Sequence, residues 1–454
     1  MSQAAAATGR LGDFVSDAAP PAAARARAAI AALDTVGVAL AGTSEPAARI
    51  VRHVVADEGG DACGVFGTRV RASIGGAALA NGTAAHALDY DDMCFVSLAH
   101  PSAPLVPAAL AAAEAEGLPG RAVLDAYVVG FEIEARLGRL MNPRHYQRGW
   151  HCTATLGTIG AAAAVSRLLG LDARTAGHAL AIAASEASGV KENFGTMVKP
   201  LHAGLAARNG VLAALLARRG MTASELALAG PQGLLHAMDS EGDALADAIA
   251  DLGARWEILD TGVTVKLYPS CAGTHPSLDA ILDLRRREGF TAEDVERVDI
   301  DVDSIVPTIL IYERPATGLE GKFSLPFCAA AAVVFGRVGI DTFDTAHLAN
   351  PQVTAVMARV AMRVDPALDR GAPPLTHARV HITLRDGRVL SQEARGARGY
   401  PDRPASDAEL DAKFLACARV ALSESAAGRA LSLLRTIDEL ENVRTLTACL
   451  QASA

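Results

Sequence analysis

Hydrophobic residues recur at three- and four-residue spacing through most of the first 265 positions of this 454-residue chain. This period places apolar side chains on one face of an α-helix. Gly or Pro stands at many of the junctions, as is typical of helix ends. The helices predicted on this basis cover residues 22–41, 105–116, 121–140, 155–169, 203–219 and 244–251. Abundant alanine and only 4% aromatic residues predict tight helix-on-helix packing.

The pattern changes after about residue 266. Residues 295–302 read VERVDIDV, in which valine and isoleucine alternate with charged residues, the period of a half-buried strand. Further on, residues 378–384 and 388–393 flank Asp386-Gly387, a dipeptide that favours a tight hairpin turn. These segments predict a region that mixes strands with helices.

Together these patterns predict a mainly α protein with two domains. Helical spacing returns near the end of the chain, so residues 1–265 and 405–454 are predicted to form one large all-helical domain. A smaller α+β lid domain, residues 266–404, is predicted to be inserted between them. Half of all residues are apolar, which is enough to bury a core in each domain.

Composition narrows the classes of partner. A net charge of −9 and a pI near 5.8 argue against nucleic-acid and anionic-membrane partners, which require a basic face. We find no stretch of about 20 apolar residues that would span a bilayer, and no secretory signal pattern. Seven scattered cysteines without CxxC spacing favour reduced thiols over disulfides or a zinc site. These observations predict a cytoplasmic protein.

Lysine is scarce in this sequence, and the positions of three lysines make them candidate functional residues. Only five of the 42 basic residues are lysines, and Lys199, Lys266 and Lys322 lie in stretches rich in Gly, Pro, His and small polar residues. An ammonium is a compact charge whose pKa falls on burial, whereas arginine stays protonated. Nucleotide bias also explains such a composition, and Lys191 and Lys413 fit that explanation. Whether Lys199, Lys266 and Lys322 have a functional role must therefore be judged from the sequence around them.

One acidic segment combines carboxylates with an imidazole. The stretch NGTAAHALDYDDMCFVSLAHPS contains Asp89, Asp91, Asp92 and His100. A carboxylate beside an imidazole orients it and raises its basicity, as general acid/base chemistry requires. The alternative is a solvated loop in which Asp89 or Asp92 caps a helix. The spacing is not that of an EF-hand, and we predict no metal site.

Two further stretches place basic groups near predicted helix starts. In GWHCTATLGTIG, His151 precedes an alanine-rich helix whose free amides favour an anion. In NFGTMVKPLHAGLAARNG, Lys199 and His202 lie close together. Pro200 restricts Lys199 to extended conformations, which predicts that Lys199 lies outside the following helix. Helix capping alone, or a simple turn, explains each stretch equally well.

Other candidates lie at and beyond the predicted domain junction. The stretch VKLYPSCAGTHP contains Lys266 and His275, and ligands commonly bind in clefts between domains. Tyr312 and Lys322, the latter within LEGKFSLP, follow in the lid region. Cys271 is interpreted as a small buried thiol, because nothing indicates thiolate character.

Six motifs resemble those of the MmgE/PrpD superfamily. In chain order they are GTAAHALDYDD, AHPSAPLVPAAL, GWHCTATLGTIGAAAAVSRLLGL, TMVKPLHAGLAARNG, VKLYPSCAGTHPSLDA and EGKFSLPF, within residues 20–440. The resemblance implies a large helical domain with an α+β lid, a homodimer, and a cofactor-free active site in the cleft. Members include 2-methylcitrate dehydratase, cis-aconitate decarboxylase and iminodisuccinate epimerase, which act on small polycarboxylates.

The resemblance also implies site residues. The residues that match the catalytic positions of the decarboxylase members are Asp89, His100, His151, Lys199 and Lys266. The resemblance adds Tyr312 as a substrate-binding residue, and the sequence stretches described above add Asp92, His202, His275 and Lys322. Met93 stands where these relatives commonly have threonine, so the substrate stays open.

The predicted function is that of a cofactor-independent lyase. It would dehydrate or decarboxylate a small di- or tricarboxylate, of the 2-methylcitrate or cis-aconitate kind, by abstracting a proton next to a carboxylate. Lys199 and Lys266 would hold the acid in place of a metal ion, and His100 or His151 would be the base or the acid. An epimerase is the alternative, and a non-catalytic carboxylate-binding protein on the same fold is a further one.

Overall fold

Helices make up 59% of the protein, so the predicted mainly α fold is confirmed. The computed structural model describes residues 2–238, 240, 242–369 and 376–452. The longer helices are α1 Gln3–Asp17, α2 Ala22–Gly42, α3 Pro46–Glu58, α4 Ile74–Ala87, α5 Ser102–Glu116, α6 Gly120–Met141, α7 Cys152–Leu168, α8 Ala173–Glu186, α9 Val198–Arg218, α10 His275–Glu288, α11 Leu325–Phe335, α12 Pro351–Met357, α13 Asp407–Ala418, α14 Glu424–Arg435 and α15 Arg444–Cys449. One-turn helices cover Arg144–Gln147, Leu234–Ala237, Leu245–Ala248, Glu257–Asp260, Gly318–Gly321 and Thr345–Leu348.

Side-chain caps define where α4 and α13 begin. The Ser73 hydroxyl accepts a hydrogen bond from the Gly76 amide at the start of α4. At α13, Ser406 accepts from the Glu409 amide while the Glu409 carboxylate accepts from the Ser406 amide. These contacts satisfy first-turn amides that have no partner within the helix. Both helices carry side chains that reach the candidate site.

The start of α9 differs from the prediction. The helix begins at Val198, so Lys199 and Pro200 lie within its first turn. A first-turn amide has no intrahelical acceptor, so a proline, which lacks the N–H, is tolerated there. The prediction that Pro200 keeps Lys199 outside the helix is therefore wrong. The helix predicted at residues 244–251 is reduced to the single turn Leu245–Ala248.

The first hydrophobic core combines helices from both ends of the chain. It contains Leu11 in α1 and Leu446 in α15, together with the buried faces of the helices between them. Helices α4 and α9 cross closely at Gly82 and Gly204, where a Cβ on Gly204 would overlap the Leu79 carbonyl oxygen. This crossing brings the end of α4 next to the start of α9.

The second hydrophobic core is built on a four-stranded sheet. The strands of the protein are β1 Cys63–Gly64, β2 Arg71–Ala72, β3 Val295–Val302, β4 Val360–Val364, β5 His377–Leu384 and β6 Val389–Arg395. The sheet has the order β4-β3-β5-β6, in which β3 pairs in parallel with β4 and antiparallel with β5, while β1 and β2 form a separate pair. The strand predicted at residues 295–302 and the hairpin around Asp386-Gly387 are confirmed. Helices α10 and α11 pack against this sheet.

The two cores meet close to the predicted domain junction. The N-terminal part of the first core ends at Val265, and the second core runs from Tyr268 to Ala394. Phe323, from the region between β3 and β4, packs into the first core and so crosses the junction. The exact domain boundaries stay a prediction.

Helix length and apolar composition determine whether a helix could cross a membrane. No single described helix is both long and apolar enough to cross a membrane. Helices α2 and α3 meet the length and composition criteria only as a pair bent by 88°. Most of α2 is buried within the first hydrophobic core.

Replacing Gly204 with alanine should destabilise the protein by about 1–3 kcal/mol, because the added methyl group overlaps the α4 backbone. Gly428→Ala in α14 is the matched control, since a Cβ there meets nothing within 4 Å. Helix propensity predicts that this control is stabilised by about 0.5–1 kcal/mol. Urea unfolding followed by circular dichroism measures both changes. Equal stabilities would contradict the close crossing of α4 and α9.

Candidate active site

The carboxylate of Asp89 lies at the centre of a buried cluster of charged side chains. Asp89 follows α4 and adopts a left-handed backbone conformation with φ of 51°. Its Oδ1 accepts hydrogen bonds from Lys199 Nζ at 3.2 Å and from Lys266 Nζ at 2.7 Å. None of the three side chains is more than 5% exposed. Because a buried carboxylate is costly without opposite charge, the two ammonium groups stabilise its ionised form.

A second carboxylate, that of Asp91, connects two histidines to this cluster. His86 Nδ1 lies 2.8 Å from Asp91 Oδ2, and His86 Nε2 lies 3.0 Å from Lys199 Nζ. His100 approaches both acids, with Nδ1 at 3.3 Å from Asp91 Oδ2 and Nε2 at 3.7 Å from Asp89 Oδ1. The five side chains therefore form one connected network.

Burial and neighbouring charges divide this network into ionised acids and neutral imidazoles. Burial alone would raise the pKa of Asp89, but Lys199 and Lys266 hold it well below 3.8. Burial also opposes ionisation of Asp91, yet the two imidazoles that contact it keep its pKa well below the usual value. Burial lowers the pKa of His86 to about 3. Neutral His86 therefore donates from Nδ1 to the carboxylate and accepts at Nε2 from the ammonium.

His151 and His202 form an imidazole pair beside this network. His151 immediately precedes α7, and its Nδ1 lies 3.0 Å from Nδ1 of His202 in α9. One ring must donate and the other accept, so the two carry their protons on different nitrogens. Burial lowers the pKa of both rings, that of His202 to about 4. The His151 ring centroid lies 5.7 Å from that of His86 and 5.0 Å from that of Phe194.

A cavity of about 40 Å³ borders the cluster. This volume has room for roughly three water molecules. Its apolar lining includes Phe194 from the first core and Ile305, which packs against the second. Two larger surface clefts, of about 380 and 420 Å³, contain none of the predicted catalytic side chains. Four of those side chains line the small cavity, namely Asp89, His100, His151 and Lys199.

Two domains of one known protein family match most of the chain. The MmgE/PrpD N-terminal domain matches residues 10–245, and the MmgE/PrpD C-terminal domain matches residues 268–439. The chain belongs to the MmgE/PrpD family. The resemblance seen in the six motifs is therefore confirmed. In this MmgE/PrpD protein, Lys266 lies between the two matched segments, where the two hydrophobic cores meet.

Individual relatives are similar over most of their length. The cis-aconitate decarboxylase of Homo sapiens is 28% identical over 389 residues, which cover 83% of this chain and 79% of the relative. The cis-aconitate decarboxylase of Mus musculus is 29% identical over 393 residues, with coverages of 83% and 78%. That of Aspergillus terreus is 26% identical over 444 residues, with coverages of 92% and 90%. The similarity therefore includes both matched domains of the family.

Two predicted substrate-binding residues of this family member form hydrogen bonds with other protein groups. The carboxylate of Asp92 accepts hydrogen bonds from the amide and the hydroxyl of Ser102 at the start of α5. His275 Nε2 lies 3.1 Å from the Ser270 carbonyl oxygen. Neither side chain lines the cavity, and we do not include them in the proposed site.

Tyr312 and Lys322 also lie outside the lining of the cavity. The Tyr312 hydroxyl donates to the Phe194 carbonyl oxygen at 3.0 Å, so it contacts a residue that lines the cavity. Lys322 Nζ donates to the carbonyl oxygens of Leu88 at 2.7 Å and Pro269 at 2.9 Å. These contacts support the main chain around the site.

Sequence reasoning did not select His86 or assign Asp91 a role. Both are almost fully buried, and together they connect His100 and Lys199. His86 lies in the last turn of an alanine- and glycine-rich helix, three residues before the first acid of the segment. A histidine at that spacing from an acidic cluster was the signal available in the sequence.

Ligand-type atoms of His86, Asp89, Asp91 and His100 lie within 4.8 Å of one another, as in some metal sites. However, Asp89 Oδ1 is already bound by the ammonium groups of Lys199 and Lys266. A divalent ion would add two positive charges beside these two, which is unfavourable in a buried site. Metal independence stays a prediction.

Acid should destabilise the protein as the pH falls from 6.5 to about 4, because His202 takes up a proton in the unfolded chain before it does so in the folded one. A lowered folded-state pKa contributes stability above the unfolded value of 6.5, and this stability is lost as the pH falls through that window. Between pH 6.5 and about 4, the slope of the free energy of unfolding against pH should be smaller in His202→Gln than in the wild type, by about 1.4 kcal/mol per pH unit. Urea unfolding at several pH values gives both slopes. Parallel slopes would contradict a neutral, buried His202.

Proposed function

We propose that this MmgE/PrpD-family protein is a lyase that acts on a small, aconitate-like carboxylic acid. The observation that carries the proposal is the shared cavity of Lys199, His100 and His151 next to the doubly bound Asp89 carboxylate. Relatives named cis-aconitate decarboxylase support the reaction class and the kind of acid.

In this proposal, the ammonium group of Lys199 binds a substrate carboxylate. Lys199 lines the cavity, whereas Lys266 lies behind Asp89 and balances its charge. Cleavage of a C–C bond to CO₂, or loss of a proton, leaves an electron pair on the carbon, delocalised into the adjacent carboxylate. A fixed cation next to that carboxylate stabilises the developing negative charge more than the ground state.

The proton donor in this proposal is His100 or His151. Burial lowers the pKa of both imidazoles and so favours their neutral forms. An anionic substrate would raise their pKa values, because opposite charge favours the protonated ring. The substrate thereby prepares the acid that protonates carbon after CO₂ leaves, or that protonates a departing hydroxyl group in a dehydration. General acid catalysis of this type contributes about 10²- to 10⁴-fold to the rate.

Substrate entry in this proposal requires the cavity to widen. A volume of about 40 Å³ is too small for an aconitate-like acid. Part of the lining comes from the region after residue 266, including Cys271, Ile305 and Phe323. We propose that this wall moves away to admit the acid and returns to exclude water during the reaction.

We propose a cytoplasmic homodimer that needs no cofactor or metal ion and has no nucleic-acid or membrane partner. All seven cysteines are unpaired, which fits a reducing compartment. The burial of the thiol raises the pKa of Cys271 to about 11, so it is not suited to be a nucleophile at neutral pH.

Lys199→Met, Lys266→Met and His151→Ala should each reduce turnover by at least about 10³-fold, because each removes a charge or a proton donor used in the reaction. His178→Ala is the matched control, since His178 bonds to the backbone of Ala223 and does not line the cavity. Circular dichroism confirms that each variant is folded. Two cluster variants with full activity would contradict the proposed site.

NMR of the purified enzyme in D₂O, with 2-methylcitrate, citrate, cis-aconitate and iminodisuccinate, should identify the reaction. We expect loss of CO₂ or water from one acid, with solvent deuterium incorporated at the carbon that was protonated. EDTA should leave the rate unchanged, since Lys199 supplies the positive charge. Deuterium incorporation with inversion but without fragmentation would indicate an epimerase instead. Binding without exchange or product from any acid would contradict the proposed enzyme.

A further inference from the structure

Three consecutive carbonyl oxygens beside the cluster each accept a hydrogen bond from a different buried lysine. Lys322 Nζ donates to Leu88 O at 2.7 Å, and Lys266 Nζ donates to Asp89 O at 2.8 Å. Lys413 Nζ donates to the next carbonyl oxygen, that of Tyr90, at 2.9 Å. The three lysines come from distant parts of the chain and converge on one turn, residues 88–90.

Two of these ammonium groups also bind the facing backbone segment, residues 266–269. Lys322 Nζ donates to Pro269 O at 2.9 Å, and Lys413 Nζ donates to Lys266 O at 2.8 Å. The two segments run antiparallel, as the backbone bridge between Met93 and Thr264 indicates. At residues 88–90, lysine ammonium groups therefore lie between pairs of carbonyl oxygens, which cannot bond to each other.

The surroundings of Lys413 and Lys322 indicate that these lysines do more than stabilise the fold. Lys413 also forms a 2.6 Å ion pair with Asp34, so its three N–H groups have three acceptors. Lys322 is 3% exposed and lies 4.4 Å from the centroid of the Phe343 ring. Burial lowers the pKa of Lys322 to about 8, which reflects the cost of keeping its charge there. Apolar residues of similar size would often stabilise a fold as well or better.

The backbone that these lysines hold has an uncommon conformation. Asp89 has φ of 51°, a left-handed conformation that is uncommon for residues other than glycine. Such a conformation persists where the surrounding contacts enforce it. In this conformation the Asp89 side chain reaches Lys199 and Lys266. A relaxed turn would redirect the carboxylate away from at least one of them.

We propose that Lys322 and Lys413 are positioning residues, which fix the turn at residues 88–90 so that the Asp89 carboxylate faces Lys199, Lys266 and His100. This inference rests on the proposed function of the same site. Neither lysine lines the cavity, and both bind main-chain oxygens, so they act through Asp89. Lys322 belongs to the predicted lid and Lys413 to α13, so both parts of the fold determine the position of one side chain.

The test compares Lys322→Met and Lys413→Met with Arg136→Met. Arg136 is a matched control, because it is also buried and binds two carbonyl oxygens, those of Ala248 and Arg255. It also pairs with the carboxylates of Glu132, Asp251 and Glu257. The lysine variants should lose about 10- to 100-fold in kcat with the acid that the wild type converts, since small misplacements of catalytic groups have effects of that size. Their KM should change by less than about threefold, because Lys199 remains in the cavity.

The control should lose thermal stability but keep its kcat. A crystal structure of Lys322→Met should also contain residue 89 outside the left-handed region, which a merely structural role would not require. If Lys322→Met and Lys413→Met keep the wild-type kcat, or if neither variant folds, the positioning role is wrong. A wild-type protein that converts none of the acids would contradict the proposed function instead, so the two failures are distinguishable.

Discussion

An ionised carboxylate held between two buried ammonium groups is the interaction on which this structure depends. Asp89 comes from the end of α4, Lys199 from the first turn of α9, and Lys266 from the junction of the two cores. The charges can be buried together only if all three elements are in place, since removal of one partner leaves an uncompensated charge. The close glycine crossing of α4 and α9 is therefore as necessary to the site as the charged side chains.

The same arrangement keeps the cluster around Asp89 nearly neutral. Two acids, Asp89 and Asp91, are balanced by Lys199 and Lys266, and the surrounding imidazoles carry no charge. Both ammonium groups bind Asp89 directly, and the carboxylate of Asp91 is stabilised by its contacts with His86 and His100. In the proposed function, an anionic substrate would disturb this balance, and protonation of an imidazole would restore it. Electrostatics thus links the stability of the fold to the chemistry proposed for it.

The sequence contained much of the fold and part of the site. Strand β3 was predictable because its apolar side chains alternate. Helices α2, α5, α6, α7 and α9 were predictable because apolar residues recur in them at three- and four-residue spacing. His86 was not, since α4 is buried on nearly all sides and its pattern indicates no single face. The contacts of Lys322 and Lys413 were not predictable either, because main-chain carbonyl oxygens leave no signature in side-chain identity. The residues around Lys199 identified it as a candidate, but its position inside the first turn of α9 was not predicted.

The position of Lys413 near the end of the chain has a consequence for synthesis. The turn at residues 88–90 is made early, but the ammonium group that binds Tyr90 O lies more than 320 residues later. A nascent chain that stops before α13 lacks this contact and leaves Asp34 without its ion-pair partner. The site is therefore completed only when nearly the whole polypeptide has been made, so that fragments released early would not carry an assembled site.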